Sequence, residues 1–242
     1  MISVSIIKDK YILQYGSEKI PFKVEFRERK HLSIDVHPDG QVIVIAPQIC
    51  TLDEVYKRVE KRAHWIAKQC VHFETFRPLP KEKRYISGET HLYLGRQYRL
   101  KIQSSSEESV KLIGRYLHVS TFYTDNTLQV ETLLNQWYKG HAKSIFDARL
   151  DWCIENALSL RILRPNVSIR KMARRWGSCS RAGKILLNID LVKTPLHCIE
   201  YVIMHELCHL RIHDHSPAYY RLLARCMPDW KKRKERLNTF II

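Results

Sequence analysis

Along the first fifty residues, apolar and polar positions alternate in short runs, the period of strands buried on one face. Such runs, rich in β-branched residues, fall at 10–14, 20–27, 32–37 and 41–46 and predict four strands. His37-Pro38-Asp39-Gly40 between the last two predicts a hairpin turn, with Gly40 free to take positive φ. The period then changes. Val55, Val59, Ala63, Ile66 and Cys70 recur at helical spacing, and Thr51 with Glu54 three residues later forms a capping-box signature, so one helix is expected over 51–76.

A charged, proline-broken connector, Arg77-Pro78-Leu79-Pro80-Lys81-Glu82-Lys83-Arg84, comes next and is the best boundary in the chain. It divides a β-rich N-terminal region, 1–80, from a second region, 81–242, although the two can still pack as one unit. Strand patterns resume at 90–94, 96–103, 109–113 and 116–121, with turns at Leu94-Gly95 and Ile113-Gly114. A long helix is expected over 128–158, its buried side supplied by Leu133, Leu134, Trp137, Ile145, Leu150 and Ile154, with Gly140 a mild weakness. A β-hairpin is expected after it, 167–173 outward and 184–190 back. Thr194-Pro195 then starts a helix with an N-cap and a proline at its first position, and Ser216-Pro217 repeats that signal. The first of these helices must therefore end between about 212 and 216. No internal repeat stands out. The fold class is α+β.

Charge adds a possible partner. The net charge is +16, and eight Lys or Arg residues stand between 161 and 185 with no Asp or Glu; a second cluster is Lys231-Lys232-Arg233-Lys234. Such a balance attracts polyanions, nucleic acid among them, or acidic protein surfaces, although it also describes solvated faces of an ordinary basic protein. No run of eighteen apolar residues exists, so no membrane span is expected. The first residues lack the basic and apolar regions of a secretory signal, and seven cysteines without a CxxC pair read as reduced, buried thiols. Together these point to a cytoplasmic protein.

The chemistry lies in His205-Glu206-Leu207-Cys208-His209, with His215 six residues on. Two histidines four apart project from one helix face and can reach one metal ion, and the glutamate beside the first can act as general base on a metal-activated water. Zn2+ in a catalytic site takes three protein ligands. His205 and His209 are two; His215, after the helix break, is the best third, with His213, Asp214 or a distant residue as alternatives. The His205–His215 spacing equals that of the metzincin pattern, but Ile212 stands where that pattern has glycine. A short string of this kind also arises on amphipathic helices as surface histidines. Against that, 199–204 is largely apolar, so these histidines sit on a mostly buried helix, where unpaired imidazoles are costly.

Upstream, Arg174-Arg175-Trp176-Gly177-Ser178-Cys179-Ser180 links the two hairpin strands, with Gly177 allowing a tight turn. Met172-x-x-Arg175-Trp176-Gly177-Ser178-Cys179, Leu187-Asn188, 202–210 and His215-Ser216 resemble, in that order, the YgjP-like metallopeptidases, zincins of the gluzincin-like, SprT-related kind. Arg27-x-Arg29-Lys30, Ala46-Pro47, Trp65-Ile66, Gly88-Glu89, Tyr93-Leu94-Gly95 and Trp230 extend the resemblance over about 20–235. Tyr219-Tyr220 stands where that family tends to have Phe-Trp, and Cys208 where alanine is usual. The resemblance implies a zincin-like core, in which a hairpin or small antiparallel sheet feeds the active-site helix. It also implies zinc on His205, His209 and His215, with Glu206 as base.

The reading from sequence is thus a zinc-dependent peptidase acting on protein or peptide substrates. Arg175, Tyr219 and Tyr220 are candidates for holding the transition state or substrate, and Asn188 and Asp190 for orienting the histidines. Two other classes compete: a nucleic-acid-associated protein, including a protease acting on DNA-bound proteins, and an inactive scaffold stabilised by zinc.

Overall fold

The computed structural model describes residues 11–16, 18–37, 40–74, 83–157, 160–173 and 175–240. The chain divides into two compact units, Met1–Lys81 and Glu82–Ile242. Pro38-Asp39 of the expected turn, Arg174, and positions 77–82 of the expected connector lie outside the described residues.

In the first unit the alternating runs form β1 (Tyr11–Tyr15), β2 (Glu18–Arg27), β3 (Ser33–Val36) and β4 (Val42–Pro47). They make one sheet in the order β1-β2-β4-β3, with β2 and β4 parallel and the outer pairs antiparallel. Gly40, at φ 84°, closes the β3–β4 hairpin, its N–H donating to the His37 carbonyl at 2.9 Å. Thr51 caps the next helix in a full capping box: its Oγ1 accepts the Glu54 N–H, and Glu54 accepts the Thr51 N–H. The single helix expected over 51–76 is two, α1 (Leu52–Lys61) and α2 (Ala63–Glu74), separated at Arg62. The apolar stripe runs unbroken through that joint, which is why spacing alone does not reveal it. Val55, Val59, Ala63 and Ile66 pack on Leu13, Phe22, Val44 and Ala46 of the sheet to form this unit's own core.

The second unit begins with β5 (Thr90–Tyr93), β6 (Arg96–Ser104), β7 (Ser109–Ile113) and β8 (Tyr116–Thr121), again in the order β5-β6-β8-β7 with the central pair parallel. The first unit's strand plan therefore recurs here, a repeat of topology that no repeat of sequence announces. From Asn126, whose side chain accepts the Gln129 N–H at 3.1 Å, runs α3 (Thr127–Asn156). Its buried side is Val130, Leu134, Tyr138, Ala142, Phe146, Leu150 and Cys153. Of the residues expected there only Leu134 and Leu150 are fully covered; Leu133, Trp137, Ile145 and Ile154 flank the stripe. Small and amphipathic residues at 138, 142 and 153 mark the line of closest packing, and apolarity alone misses them.

The expected hairpin at 167–190 is a three-stranded sheet. β9 (Val167–Arg170) runs parallel to β11 (Ile185–Asn188), and β10 (Gly177–Cys179) pairs antiparallel on the other side, giving the order β10-β11-β9. The intervening segment is long enough for the chain to cross over and lay a short third strand, so direct reversal is not forced. After β11, a 3-10 turn (Ile189–Lys193) leads to α4 (Leu196–His209), α5 (Pro217–Cys226) and α6 (Trp230–Leu237). The α4 start differs by one position from expectation. Pro195 itself is the N-cap, and the Thr194 hydroxyl donates to the Leu191 carbonyl at 2.8 Å instead of capping.

The Leu94-Gly95 turn fixes where α4 begins. The N–H groups of Leu94 and Gly95 donate to the carbonyls of Val192 and Lys193, each at 3.0 Å. Gly95 is at φ +77°, and a Cβ there would meet Pro195 Cγ at 2.5 Å, so only glycine allows this approach. Eleven of the fourteen residues of α4 are buried, which makes it the central helix of the unit, packed by α3, α5, α6 and β10. The one carboxylate buried on its early turns, Glu200, is held by Arg149 of α3 at 3.2 Å and Arg233 of α6 at 2.5 Å.

Candidate metal centre

His205, Glu206 and His209 occupy the last turns of α4, where apolar residues on the other faces commit the helix to the interior. The helix ends at His209, three residues sooner than the earliest expected end. The Arg211 side chain donates to the carbonyls of Leu160 and Arg161, pinning the departing loop. That turn brings His215 back. The three Nε2 atoms form a nearly equilateral triangle: 3.2 Å from His205 to His209, 3.1 Å from His209 to His215, and 3.1 Å from His215 to His205. The alternative third corners, His213 and Asp214, are exposed and outside the triangle. Ile212 does not take positive φ, so the chain turns without the glycine conformation the metzincin pattern would call for.

Hydrogen bonding does not account for this cluster. The His209 Nδ1 lies 3.0 Å from the Ile212 carbonyl, which can only accept, so Nδ1 carries the proton and Nε2 presents a lone pair to its two neighbours. Burial, with the neighbouring imidazoles, holds His205 down to about 3, and burial also lowers His209, so both rings are neutral at ordinary pH. Imidazole nitrogens converging in this way, with the His205 and His209 rings neutral, are ready ligands. Nitrogens at about 2.0–2.1 Å from a tetrahedral ion stand about 3.3–3.4 Å apart, within a few tenths of an ångström of the spacings here. The donor set therefore fits a divalent metal with one coordination position left open. His205 Nδ1 is buried without a partner among the described residues.

Tyr219, fully buried in the first turn of α5, backs the triangle. Its ring stacks on His209 at 4.5 Å, and its hydroxyl donates to the His205 carbonyl at 3.0 Å. α5 is set by Ser216, whose side chain accepts the Tyr219 N–H, and by Pro217 at its first turn. Tyr220 is half-buried, its ring between His215 and Trp230.

Glu206 is buried beside the triangle. Burial pushes its carboxyl up to about 7, with the Arg175 charge pulling the other way. β10 runs against it so closely that a Cβ on Gly177 would lie 2.7 Å from Glu206 Oε1 and 3.0 Å from Val202 Cγ1. Gly177 is thus needed for room, where the sequence suggested only a tight turn. Arg175 is exposed on the segment entering β10.

Asn188 and Asp190 do not orient the histidines. The buried Asn188 side chain donates to the carbonyls of Met172 and Arg175 at 2.8 and 2.9 Å and accepts the N–H groups of Met172 and Asp190. It is the clamp that shapes the segment before β10. Asp190 pairs with Lys193. The orienting group for His209 is a backbone carbonyl, which carries no side-chain signature. Cys208 is fully buried within α4, and its thiol is raised by a contact with Cys226 and by burial, which makes it inert packing.

A family model for the YgjP-like metallopeptidase domain matches residues 30–240. The chain belongs to the YgjP-like metallopeptidase family. The match takes in the first unit from β3 onward, with both of its helices, and nearly all of the second, with every residue of the triangle. Among curated proteins, none matches. The crystal structure of the metallopeptidase zymogen of Pyrococcus abyssi abylysin is similar over 39% of this chain and 92% of its own, at 24% identity and a TM-score of 0.35, too weak a likeness to bear on the fold. Membership and the imidazole cluster support a metal-dependent peptidase in general. No helix among the described residues is long and apolar enough to cross a membrane.

Proposed function

We propose that the YgjP-like chain is a zinc-dependent peptidase whose second unit has a zincin-like core, with His205, His209 and His215 as the metal ligands and Glu206 as general base. The observation that carries this reading is the triangle of imidazole Nε2 atoms at 3.1–3.2 Å with a buried carboxylate on the adjoining helical position. When bound, zinc would lower the pKa of water towards about 7 and stabilise negative charge on a carbonyl oxygen.

The remaining work falls to the chain's own groups. Glu206 takes the proton of the attacking water and returns it to the leaving amine; a carboxyl raised to about 7 by burial suits a group that must do both. Tyr219 keeps His205 and His209 in register through its stacking and its bond to the His205 carbonyl. Because that bond uses its hydroxyl proton, Tyr219 supports the ligands, and Arg175 and Tyr220 remain as groups to hold the oxyanion or the substrate. β10 is the outer strand of its sheet and lies against Glu206 through Gly177. An extended substrate pairing along that edge would bring its backbone to the carboxylate, which favours unfolded or flexible segments.

The test is hydrolysis of a disordered protein, such as casein, by zinc-loaded wild type and Glu206→Gln. The expected result is cleavage by the wild type and a rate lower by about 10²–10⁴ in the variant at equal metal content. Cleavage at the wild-type rate by a fully loaded Glu206→Gln would remove Glu206 from the mechanism. A wild type that holds zinc, unfolds without it and cleaves nothing would favour the scaffold reading.

A further inference from the structure

The basic segments that stand out in the sequence are partly spent internally. Arg164 pairs with Asp147 and Asp151, and Arg233 with Glu200 and Asp229. The first unit carries a further cluster, gathered around one groove. The groove measures about 800 Å3, a size typical of ligand clefts, and is lined by Lys30, Lys57, Arg58, Lys61, Arg62 and Trp65. None of these five cations pairs with a carboxylate among the described residues. The one acidic residue on its wall, Glu54, has its carboxylate turned to the Thr51 N–H in the capping box.

Helical spacing brings the charges together. Arg58, Lys61, Arg62 and Trp65 follow at three, four and seven positions, so they share one face across the α1–α2 joint. Lys57–Lys61 and Arg58–Arg62 are like-charged neighbours one turn apart, an arrangement that weakens a helix unless a ligand neutralises it. Trp65, 40% exposed, lays its indole at the groove where the apolar stripe of the same helices is already satisfied by Val55, Val59 and Ile66. Cations without counter-charges call for a polyanion, and an exposed indole among them calls for a flat aromatic partner. A single-stranded nucleic acid supplies both at once: phosphates for the Lys and Arg side chains and unpaired bases for Trp65. An acidic peptide lacks the bases, and a duplex hides them.

We infer that the groove of the first unit binds single-stranded nucleic acid, with phosphates held by Lys57, Arg58, Lys61 and Arg62 and a base stacked on Trp65. This inference is independent of the peptidase reading, since none of its residues belongs to the metal centre.

The test is fluorescence anisotropy of the full chain with a labelled oligothymidylate about 15 nucleotides long, titrated at several salt concentrations. The double variant Arg58→Glu/Lys61→Glu is expected to raise Kd at least about tenfold and to flatten the salt dependence. Trp65→Ala is expected to raise Kd about 5- to 100-fold with the salt slope unchanged, and Trp65→Phe to recover most of the loss. Lys231→Glu/Lys232→Glu, an equal charge change in the other unit, is expected to leave Kd nearly as it was. All four variants alter exposed side chains, and circular dichroism verifies that each stays folded. Wild-type affinity in Trp65→Ala, equal competition by polyglutamate or by duplex of the same length, or equal loss in Lys231→Glu/Lys232→Glu would each overturn the assignment.

Discussion

In the first unit a four-stranded sheet of order β1-β2-β4-β3 passes its chain to a helix capped by Thr51; in the second, a sheet of order β5-β6-β8-β7 passes its chain to a helix capped by Asn126. Their strand connections are the same and the central pair of each is parallel. Beyond the cap the two units diverge. α1 is ten residues long, stops at Arg62 and turns a row of cations outward. α3 is thirty residues long, about 45 Å, so it covers its sheet with Val130 and Leu134 and then continues past it. Its far half, Phe146, Leu150 and Cys153, becomes the surface on which α4 packs. One strand plan thus ends in a charged groove and the other in a platform for a buried helix with chemistry at its end. Helix length and facing decide the outcome; the sheet plan does not.

That contrast can be broken in several ways. The largest effect is expected from Glu206→Gln, which should lower kcat by about 10²–10⁴ while leaving oligonucleotide binding by the first unit intact. Next, Phe22→Ala opens the first unit's core at a cost of about 3–5 kcal/mol. Thermal unfolding should show the first unit melting earlier, with metal stoichiometry unchanged; joint loss of the metal would mean that the two cores are one cooperative structure. Glu200→Gln removes the charge that Arg149 and Arg233 share between α3, α4 and α6. Both arginines keep some access to water, so the cost should be about 2–3 kcal/mol in chemical denaturation.

Smaller effects sharpen the picture of the second unit. Gly177→Ala places a methyl 2.7 Å from Glu206 Oε1, which must shift, and should lower kcat/KM about 10- to 100-fold without loss of metal. Unchanged activity would show that β10 yields. Tyr219→Phe leaves the His205 carbonyl without its partner and should cost about 1 kcal/mol of stability, with metal affinity falling about tenfold.

Much of the molecule is legible in the sequence where one residue type has one physical use. The Thr51–Glu54 box, the Ser216-Pro217 start and the His205–Glu206–His209 spacing each specify a geometry by themselves. Hydrophobic period places nearly all the strands. Partner choice between strands is not legible: alternation says that β9 and β11 are strands but not that they run parallel, nor that three residues of β10 join them. The recurrence of one strand order in two units leaves no mark in residue identity. Neither does the carbonyl of Ile212, which orients His209, or the space that Gly177 leaves for Glu206. Asn188 is visible as a polar residue at a strand end, but its four hydrogen bonds run to a loop that only the fold brings near.

The most direct test of the central claim is metal content by elemental analysis of the purified wild type beside His209→Ala and His215→Ala. One zinc per chain in the wild type, lost in both variants with the fold retained by circular dichroism, is the predicted result. A wild type without metal, or a His215→Ala variant that keeps its full zinc, would contradict the three-histidine centre.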